Sequence, residues 1–101
     1  MAHDSRVTIT HEARGRGGRY TAHVEGEAQT GYLDWEPTDE RDVRVATHTI
    51  VPRAIGGRGV AAQLVNRLIA DARDEGFRIV PQCRYVARKF DENPDWAPLK
   101  A

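Results

Sequence analysis

The amino-acid sequence predicts an α+β fold in a single domain that spans residues 1–101. Three observations support this prediction. The first half of the chain alternates apolar and polar residues in short runs separated by turn residues, which is typical of strands. Residues 60–72 repeat apolar side chains at helical spacing, and a short apolar run then follows this helix. The predicted order is β-β-β-β-α-β-α, an antiparallel meander followed by a β-α-β crossover and a short C-terminal helix.

Four strands are predicted in the first half, at residues 6–11, 19–25, 28–35 and 43–51. In the first of them Val7 and Ile9 alternate with threonines, as in a half-buried strand. Residues 13–19 mix arginine with glycine and are interpreted as a hairpin loop, although Arg-Gly tracts also occur in RNA-binding proteins. Residues 36–42 are predicted as a polar loop with a proline. The short connections between these strands indicate an antiparallel meander.

The second half begins with an amphipathic helix whose apolar positions are Val60, Ala61, Leu64, Val65, Leu68, Ile69 and Ala72. Gly76 follows its last turn, where a left-handed cap is usual. Residues 77–82 are predicted as a short buried strand, interrupted by Pro81. Residues 84–91 are predicted as a second helix that ends near Pro94, and the tail is expected to pack back onto the core through Trp96 and Leu99.

The composition excludes several classes of function. With 15 basic and 15 acidic residues the net charge is zero, which disfavours a nucleic-acid partner. No apolar run approaches the roughly 20 residues that span a bilayer, and residues 1–10 lack the apolar centre of a signal peptide. We therefore expect a cytoplasmic protein without a membrane partner, either a monomer or a weak dimer. Cys83 is the single cysteine, so no internal disulfide forms. No metal site is expected, because metal-ligand spacing is absent from the four histidines, His3, His11, His23 and His48.

The most distinctive segment is a glycine-rich turn between the fourth strand and the long helix. Gly56, Gly57 and Gly59 lie within four positions, and glycine permits close backbone approach and positive φ. The first turn of the helix adds unpaired N–H groups and the positive end of the helix dipole. Together these features predict a site for phosphate or another anion. The turn comes too late in the chain for a Rossmann site, and a Walker loop is excluded because no lysine precedes Lys89.

The arrangement resembles the GNAT superfamily of acetyl-CoA-dependent N-acetyltransferases, whose signature after the fourth core strand is Arg/Gln-x-x-Gly-x-Gly/Ala. Residues 56–61, Gly-Gly-Arg-Gly-Val-Ala, match this signature except that Gly56 stands at the Arg/Gln position. Small single-domain members of the superfamily, which lack its N-terminal helices, are similar in three further segments. These are His-Thr-Ile-Val-Pro at 48–52, Ile-Val-Pro-Gln-Cys-Arg-Tyr-Val at 79–86, and Asn-Pro-Asp-Trp at 93–96 with Leu99. The resemblance runs from about Gly31 to Leu99.

This resemblance implies that acetyl-CoA is the co-substrate and that the acceptor is a primary amine of a small molecule or a peptide. The pantetheine arm would lie between the diverging ends of strands 43–51 and 77–82, and backbone amides would hold the pyrophosphate. Arg53 or Arg58 would supply the charge that Gly56 lacks. The residues expected to contact acetyl-CoA are Ile50, Val51, Arg53, Gly56, Gly57, Arg58, Gly59, Val60 and Ala61.

Three side chains are candidates for the chemistry. Histidine is a common general base in enzymes, so His48 either accepts the proton of the acceptor amine or serves as a hydrogen-bonded structural residue. Cys83 either carries the acetyl group transiently or lines the site as a small apolar residue. Tyr85 either protonates the departing thiolate or packs against the core. The acidic stretch at residues 34–42 either attracts a cationic amine or is a solvated loop.

Two other functions remain open from the sequence. The first is a coenzyme-A-binding module with little or no catalysis, because so small a domain offers little acceptor pocket. The second is an RNA-binding protein that uses the arginine-rich loop, which the zero net charge disfavours.

Overall fold

A single mixed sheet organises residues 6–101, the part of the chain that the computed structural model describes. Its strands β1 (Val7–Arg14), β2 (Gly17–Val24), β3 (Thr30–Pro37) and β4 (Val43–Ile50) form an antiparallel meander. Helix α1 (Val60–Glu75) then crosses to β5 (Arg78–Pro81), which pairs with β4 in parallel. Helix α2 (Arg84–Glu92) follows, and two 3-10 helices occupy Arg53–Ile55 and Pro94–Leu99. The predicted α+β class and element order are confirmed, with the two 3-10 helices in addition.

The first hairpin is tighter than predicted. Its strands pair as far as Arg14 and Gly17, so the turn consists of Gly15 and Arg16 alone. Gly15 has φ +59°, the backbone conformation that two-residue hairpin turns require. The predicted loop at residues 13–19 was too long, because continuous pairing with the neighbouring strand outweighs the weak strand preference of glycine and arginine.

The other strand boundaries differ by only a few residues. Strand β3 begins at Thr30 instead of residue 28, and it continues through Glu36 and Pro37, which were predicted as loop. Pro37 is tolerated because it lies at the end of the strand. Strand β4 ends at Ile50 instead of Val51.

The hydrophobic core lies on one face of the sheet. Its sheet residues are Tyr20, Ala22, Val24, Leu33, Ala46 and Ile79, and the strand registers place all of them on that face. Val60, Leu64, Val65, Leu68, Ile69 and Ala72 form the buried stripe of α1. The tail packs into the same core through Trp96, whose ring meets that of Phe90 edge-on, as the sequence predicted. Within residues 6–101 no helix covers the opposite face, where side chains such as Tyr32 and Ile50 are half-buried or exposed.

A polar contact ties the middle of α1 to the sheet. The Tyr20 hydroxyl donates a 2.7 Å hydrogen bond to Asp71, and the Arg67 guanidinium bonds both Asp71 and the carbonyl oxygen of Ile9. Burial, together with the bond to Asp71, raises the pKa of Tyr20 well above its ordinary value. None of the helices in residues 6–101 is both long and apolar enough to cross a membrane.

Candidate active site

The sheet opens where β5 ends. Strand β5 pairs with β4 only over Val43–Ala46, after which the N–H of Cys83 donates to the carbonyl oxygen of Ala46 and the chain enters α2. Strand β4 continues to Ile50 with β3 on one side, and no other strand of the described chain lies on its second side. The backbone from Thr47 to Ile50 therefore borders a gap in the sheet.

A bulge in β4 lies at the start of this gap. The pairing changes from Trp35 with Ala46 to Asp34 with His48, so Thr47 is an extra residue. The Thr47 hydroxyl donates to the carbonyl oxygen of Asp34 at 3.2 Å. A bulge bends the strand and increases its twist, which accounts for the divergence of β4 from the line of β5.

The glycine-rich turn presents a row of free backbone amides at the start of α1. Across the described residues, no acceptor bonds any of the six N–H groups from Gly57 to Ala62, and no side chain caps the helix. Gly57 and Gly59 have φ +75° and +73°, and a methyl group at either position would meet no atom within 4 Å. These glycines are therefore required by backbone conformation, and the space around them is open. A row of free N–H groups at a helix N-terminus fits the oxygens of a diphosphate.

Gly31 in β3 brings the turn close to the sheet. A methyl group at Gly31 would lie 3.2 Å from the Val51 side chain and 3.4 Å from that of Val60. A larger residue at this position would push the end of β4 away from the first residue of α1. Sequence reasoning missed Gly31, and an isolated glycine within a predicted strand is the signal that could have found it.

The two candidate arginines of the turn have different surroundings. The Arg58 guanidinium lies 3.1 Å from the Glu27 carboxylate in the β2–β3 connection. Arg53 is exposed on the 3-10 helix before the turn, and no carboxylate in residues 6–101 pairs with it. Within the described part of the chain, Arg53 is therefore the arginine of this segment that forms no ion pair.

His48 lies on the helix-free face of the sheet. The cross-strand pairing places it beside Asp34, and its side chain is exposed. It lines an open cleft of about 530 Å³ between β4 and the tip of the first hairpin. The other lining residues are Arg14, Gly15, Arg16, Gly17, Gly18, Asp34, Trp35, Glu36 and Thr47.

Cys83 and Tyr85 lie on the other side of the gap. The Cys83 thiol donates a 3.5 Å hydrogen bond to the Thr49 hydroxyl. Thr49 pairs with Leu33, so it shares the face that the helices cover, whereas His48 shares the open face. Tyr85 lies in the first turn of α2, packed against the core, with the Lys89 ammonium 5.5 Å from its ring centre. The structure therefore brings Cys83 to the mouth of the gap but separates it from His48.

No group of three or more His, Cys, Asp or Glu side chains in residues 6–101 is arranged to hold a metal ion, and His3 lies outside those residues.

Comparison with known proteins identifies the family. A family model described as GCN5-related N-acetyl-transferase matches residues 19–99. The chain is also similar to Protein NATD1 from Bos taurus, with 30% identity over 88 residues that cover 87% of this chain and 75% of that protein. The chain belongs to the GCN5-related N-acetyltransferase family. The resemblance predicted from the glycine turn and its flanking segments is confirmed, and membership supports acetyl transfer as the general chemistry.

Proposed function

We propose that this protein transfers the acetyl group of acetyl-CoA to a primary amine of a small molecule or a peptide. The observation that carries the proposal is the row of free amides from Gly57 to Ala62, which lies beside the gap at the end of β4. An anion site next to an unpaired strand edge suits a ligand that carries both a diphosphate and an extended amide-containing arm.

In this proposal the turn holds the pyrophosphate. The amides of Gly57, Gly59 and Ala61 lie at or just before the helix N-terminus, where the dipole favours negative charge. Arg53 adds the positive charge that Gly56 does not supply, because Arg58 is already paired with Glu27. The pantetheine arm follows the free edge of β4 from Thr47 to Ile50, and the Val51 amide polarises the thioester carbonyl.

Bound acetyl-CoA supplies an activated acetyl group, and the residues of this chain manage the proton. An acceptor amine must be neutral to attack the carbonyl carbon, so His48 accepts its proton on the open face. The new C–N bond forms as the C–S bond breaks, and the sulfur leaves as a thiolate. Tyr85, in the first turn of α2, is the proposed proton donor to that thiolate.

Cys83 lines the site in this scheme and does not carry the acetyl group. A nucleophilic thiol is commonly activated by a base within hydrogen-bond reach. In residues 6–101 the hydrogen-bond partner of the Cys83 thiol is the hydroxyl of Thr49, which is not a base. The arrangement therefore favours direct transfer from acetyl-CoA to the amine.

The experiment measures acetyl-CoA binding by isothermal titration calorimetry in a double variant, Gly57→Ala with Gly59→Ala. Both alanines are strained at φ near +75°, so the turn changes shape and the amide row is lost. We expect the Kd to weaken by about tenfold or more, which corresponds to about 1.4 kcal/mol. Gly76→Ala is the matched control, because Gly76 has φ +82° in equally open space at the far end of α1.

A wild-type protein that shows no heat with acetyl-CoA at millimolar concentration contradicts the proposal. If Gly76→Ala lost as much affinity as the double variant, the loss would be due to general destabilisation and not to the turn. Thiol release with a panel of amines then separates an enzyme from a coenzyme-A-binding module, because a binding module would titrate normally and release no thiol.

A further inference from the structure

The cleft beside His48 is lined by charged side chains that are not among the residues proposed to bind acetyl-CoA. Four charged side chains line it, namely Arg14, Arg16, Asp34 and Glu36. The Arg19 guanidinium binds Asp34 through two hydrogen bonds of 2.7 and 2.9 Å, and both side chains are largely buried. That pair is internally neutralised, so Asp34 is not available to a ligand.

The remaining three charges belong to Arg14, Arg16 and Glu36. No side chain of opposite charge in residues 6–101 forms an ion pair with Arg14, Arg16 or Glu36. The cleft therefore offers two guanidinium groups and one carboxylate. Guanidinium groups bind carboxylate and phosphate oxygens in a bidentate geometry, whereas a carboxylate attracts an ammonium group.

The hairpin tip lies close to Glu36. Gly17 lies so close to β3 that a methyl group there would be 2.9 Å from the Cα of Glu36. Arg16 is a turn residue that directly precedes Gly17 in the chain. His48 is the cross-strand partner of Asp34, two residues along β3 from Glu36 and on the same face, about 7 Å away along the strand. A small molecule that carries both an anionic group and an amine matches this arrangement of charges.

Size agrees with such a ligand. A volume of about 530 Å³ lies within the range of small-molecule sites and is enough for an amino acid or a short peptide. The cleft is on the helix-free face, so a ligand enters it from solvent.

We propose that this cleft binds the acceptor, and that the acceptor is an amine that also carries a carboxylate or a phosphate group. Arg14 and Arg16 hold the anionic group, Glu36 holds the ammonium group, and the amine points along β4 toward His48. The assignment of this ligand as acceptor rests on the proposed acetyl transfer, whereas its recognition by the cleft does not.

The test measures binding to the full chain without acetyl-CoA, by the NMR shifts of the Gly17 and Gly18 amides. Two pairs of probes differ in the anionic group: glycylglycine with glycylglycine amide, and O-phosphoethanolamine with ethanolamine. We expect the anionic member of at least one pair to bind at least tenfold more tightly, and the pair that shows this preference distinguishes carboxylate from phosphate. The double variant Arg14→Gln, Arg16→Gln should reduce the preference to less than twofold. Arg88→Gln should keep it, because Arg88 is an exposed arginine on α2 outside the cleft.

Three results would overturn the proposal. They are equal binding within both pairs, no shift with any probe up to about 20 mM, and a preference that survives the double variant. The proposed enzymatic function fails in a different way. If glycylglycine binds with the expected preference while acetyl-CoA gives no heat or no thiol is released, the cleft is supported and the acetyl transfer is not.

Discussion

His48 and Cys83 lie on opposite sides of strand β4, and this separation decides how each can act. Adjacent positions of a strand face opposite directions, so His48 faces the open cleft while the next residue, Thr49, meets the Cys83 thiol. The histidine is reachable by an amine from solvent. The thiol lies at the mouth of the gap without a base beside it, as far as residues 6–101 show.

Replacement of the histidine tests its role as the proton acceptor. We expect His48→Ala to lower kcat by about 100-fold, since general base catalysis contributes that much or more. The Kd for acetyl-CoA and the melting temperature should stay near those of the wild type, because the side chain is exposed. The measurement is thiol release at saturating acetyl-CoA. His23→Ala is the control, because His23 is another exposed histidine on the same face of the sheet. If the kcat of His48→Ala stayed within twofold of the wild-type value, His48 would not be the proton acceptor.

Replacement of the cysteine tests direct transfer. Cys83→Ala should keep most of the wild-type kcat, because no covalent acetyl-cysteine forms in the proposed mechanism. Intact mass of the wild-type protein after exposure to acetyl-CoA should show no acetyl group on Cys83. An adduct that disappears when an amine is added would instead establish the covalent route.

At the scale of elements, the position of the first hairpin depends on a close contact between backbones. A methyl group on Gly17 would lie 1.9 Å from the carbonyl oxygen of Trp35, a distance that no rotamer change can relieve. The tip of the hairpin therefore lies directly against β3 and forms one wall of the cleft.

Gly17→Ala should reduce the free energy of unfolding by about 2 kcal/mol or more, in the range of other overpacked sites. Urea denaturation measures this loss. Gly26→Ala is the comparison, because Gly26 has φ +84° in open space and should cost only about 1 kcal/mol. If the two variants lost the same free energy, the close contact with Trp35 would not be a determinant of stability.

At the scale of the whole molecule, a cluster between the sheet and α1 couples stability to pH. His11 stacks on Tyr20 at 4.1 Å between ring centres, and its Nε2 accepts a 2.9 Å hydrogen bond from the Trp35 indole N–H. Partial burial lowers the pKa of His11. Among the nearby charges Asp71 and Glu75 oppose this shift, whereas Arg44 and Arg67 reinforce it. The folded protein therefore favours the neutral imidazole.

The direction of the pH dependence follows from this shift. The unfolded chain binds a proton at His11 more readily than the folded chain does, so the stabilisation is complete above the ordinary value of about 6.5. It is lost as the pH falls through the lower pKa of the folded state. We expect the urea concentration at half unfolding to decrease as the pH is lowered from about 8 to about 5. The decrease should be smaller in His11→Gln, because glutamine accepts a hydrogen bond but does not titrate. Equal slopes for the two proteins would contradict this.

The one-sided arrangement of the helices determines where the two substrates meet. All the core residues of the sheet lie on the face that α1 and α2 cover, and the free amides at Gly57 to Ala62 are at the start of α1. The cleft with His48 is on the other face. In the proposed reaction, acetyl-CoA and the amine therefore approach from opposite faces and meet through the gap beyond Ala46.

The sequence by itself determined the local features of this protein. The strand predicted at residues 43–51 and the apolar stripe of α1 are confirmed, with the strand ending at Ile50, because each depends on residues close together in the chain. The glycines at 56–59 predict an anion-binding turn for the same reason, and its ligand stays a prediction. The match of segments 48–61 and 79–86 was enough to identify the family. Even the hairpin at residues 13–19 was located correctly, although its loop was predicted too long.

Only the tertiary structure decided which distant residues meet. Residues 14–18, 34–36 and 47–48 are separate in the chain and form one cleft because the four strands β1 to β4 pair in register. The tertiary structure also decides three other arrangements. It separates Cys83 from His48, pairs Arg58 with Glu27 and places Gly31 close to Val51. Local pattern fixes φ, ψ and the direction of a side chain, whereas contacts between strands depend on register and on a bulge at Thr47 that no local pattern indicates.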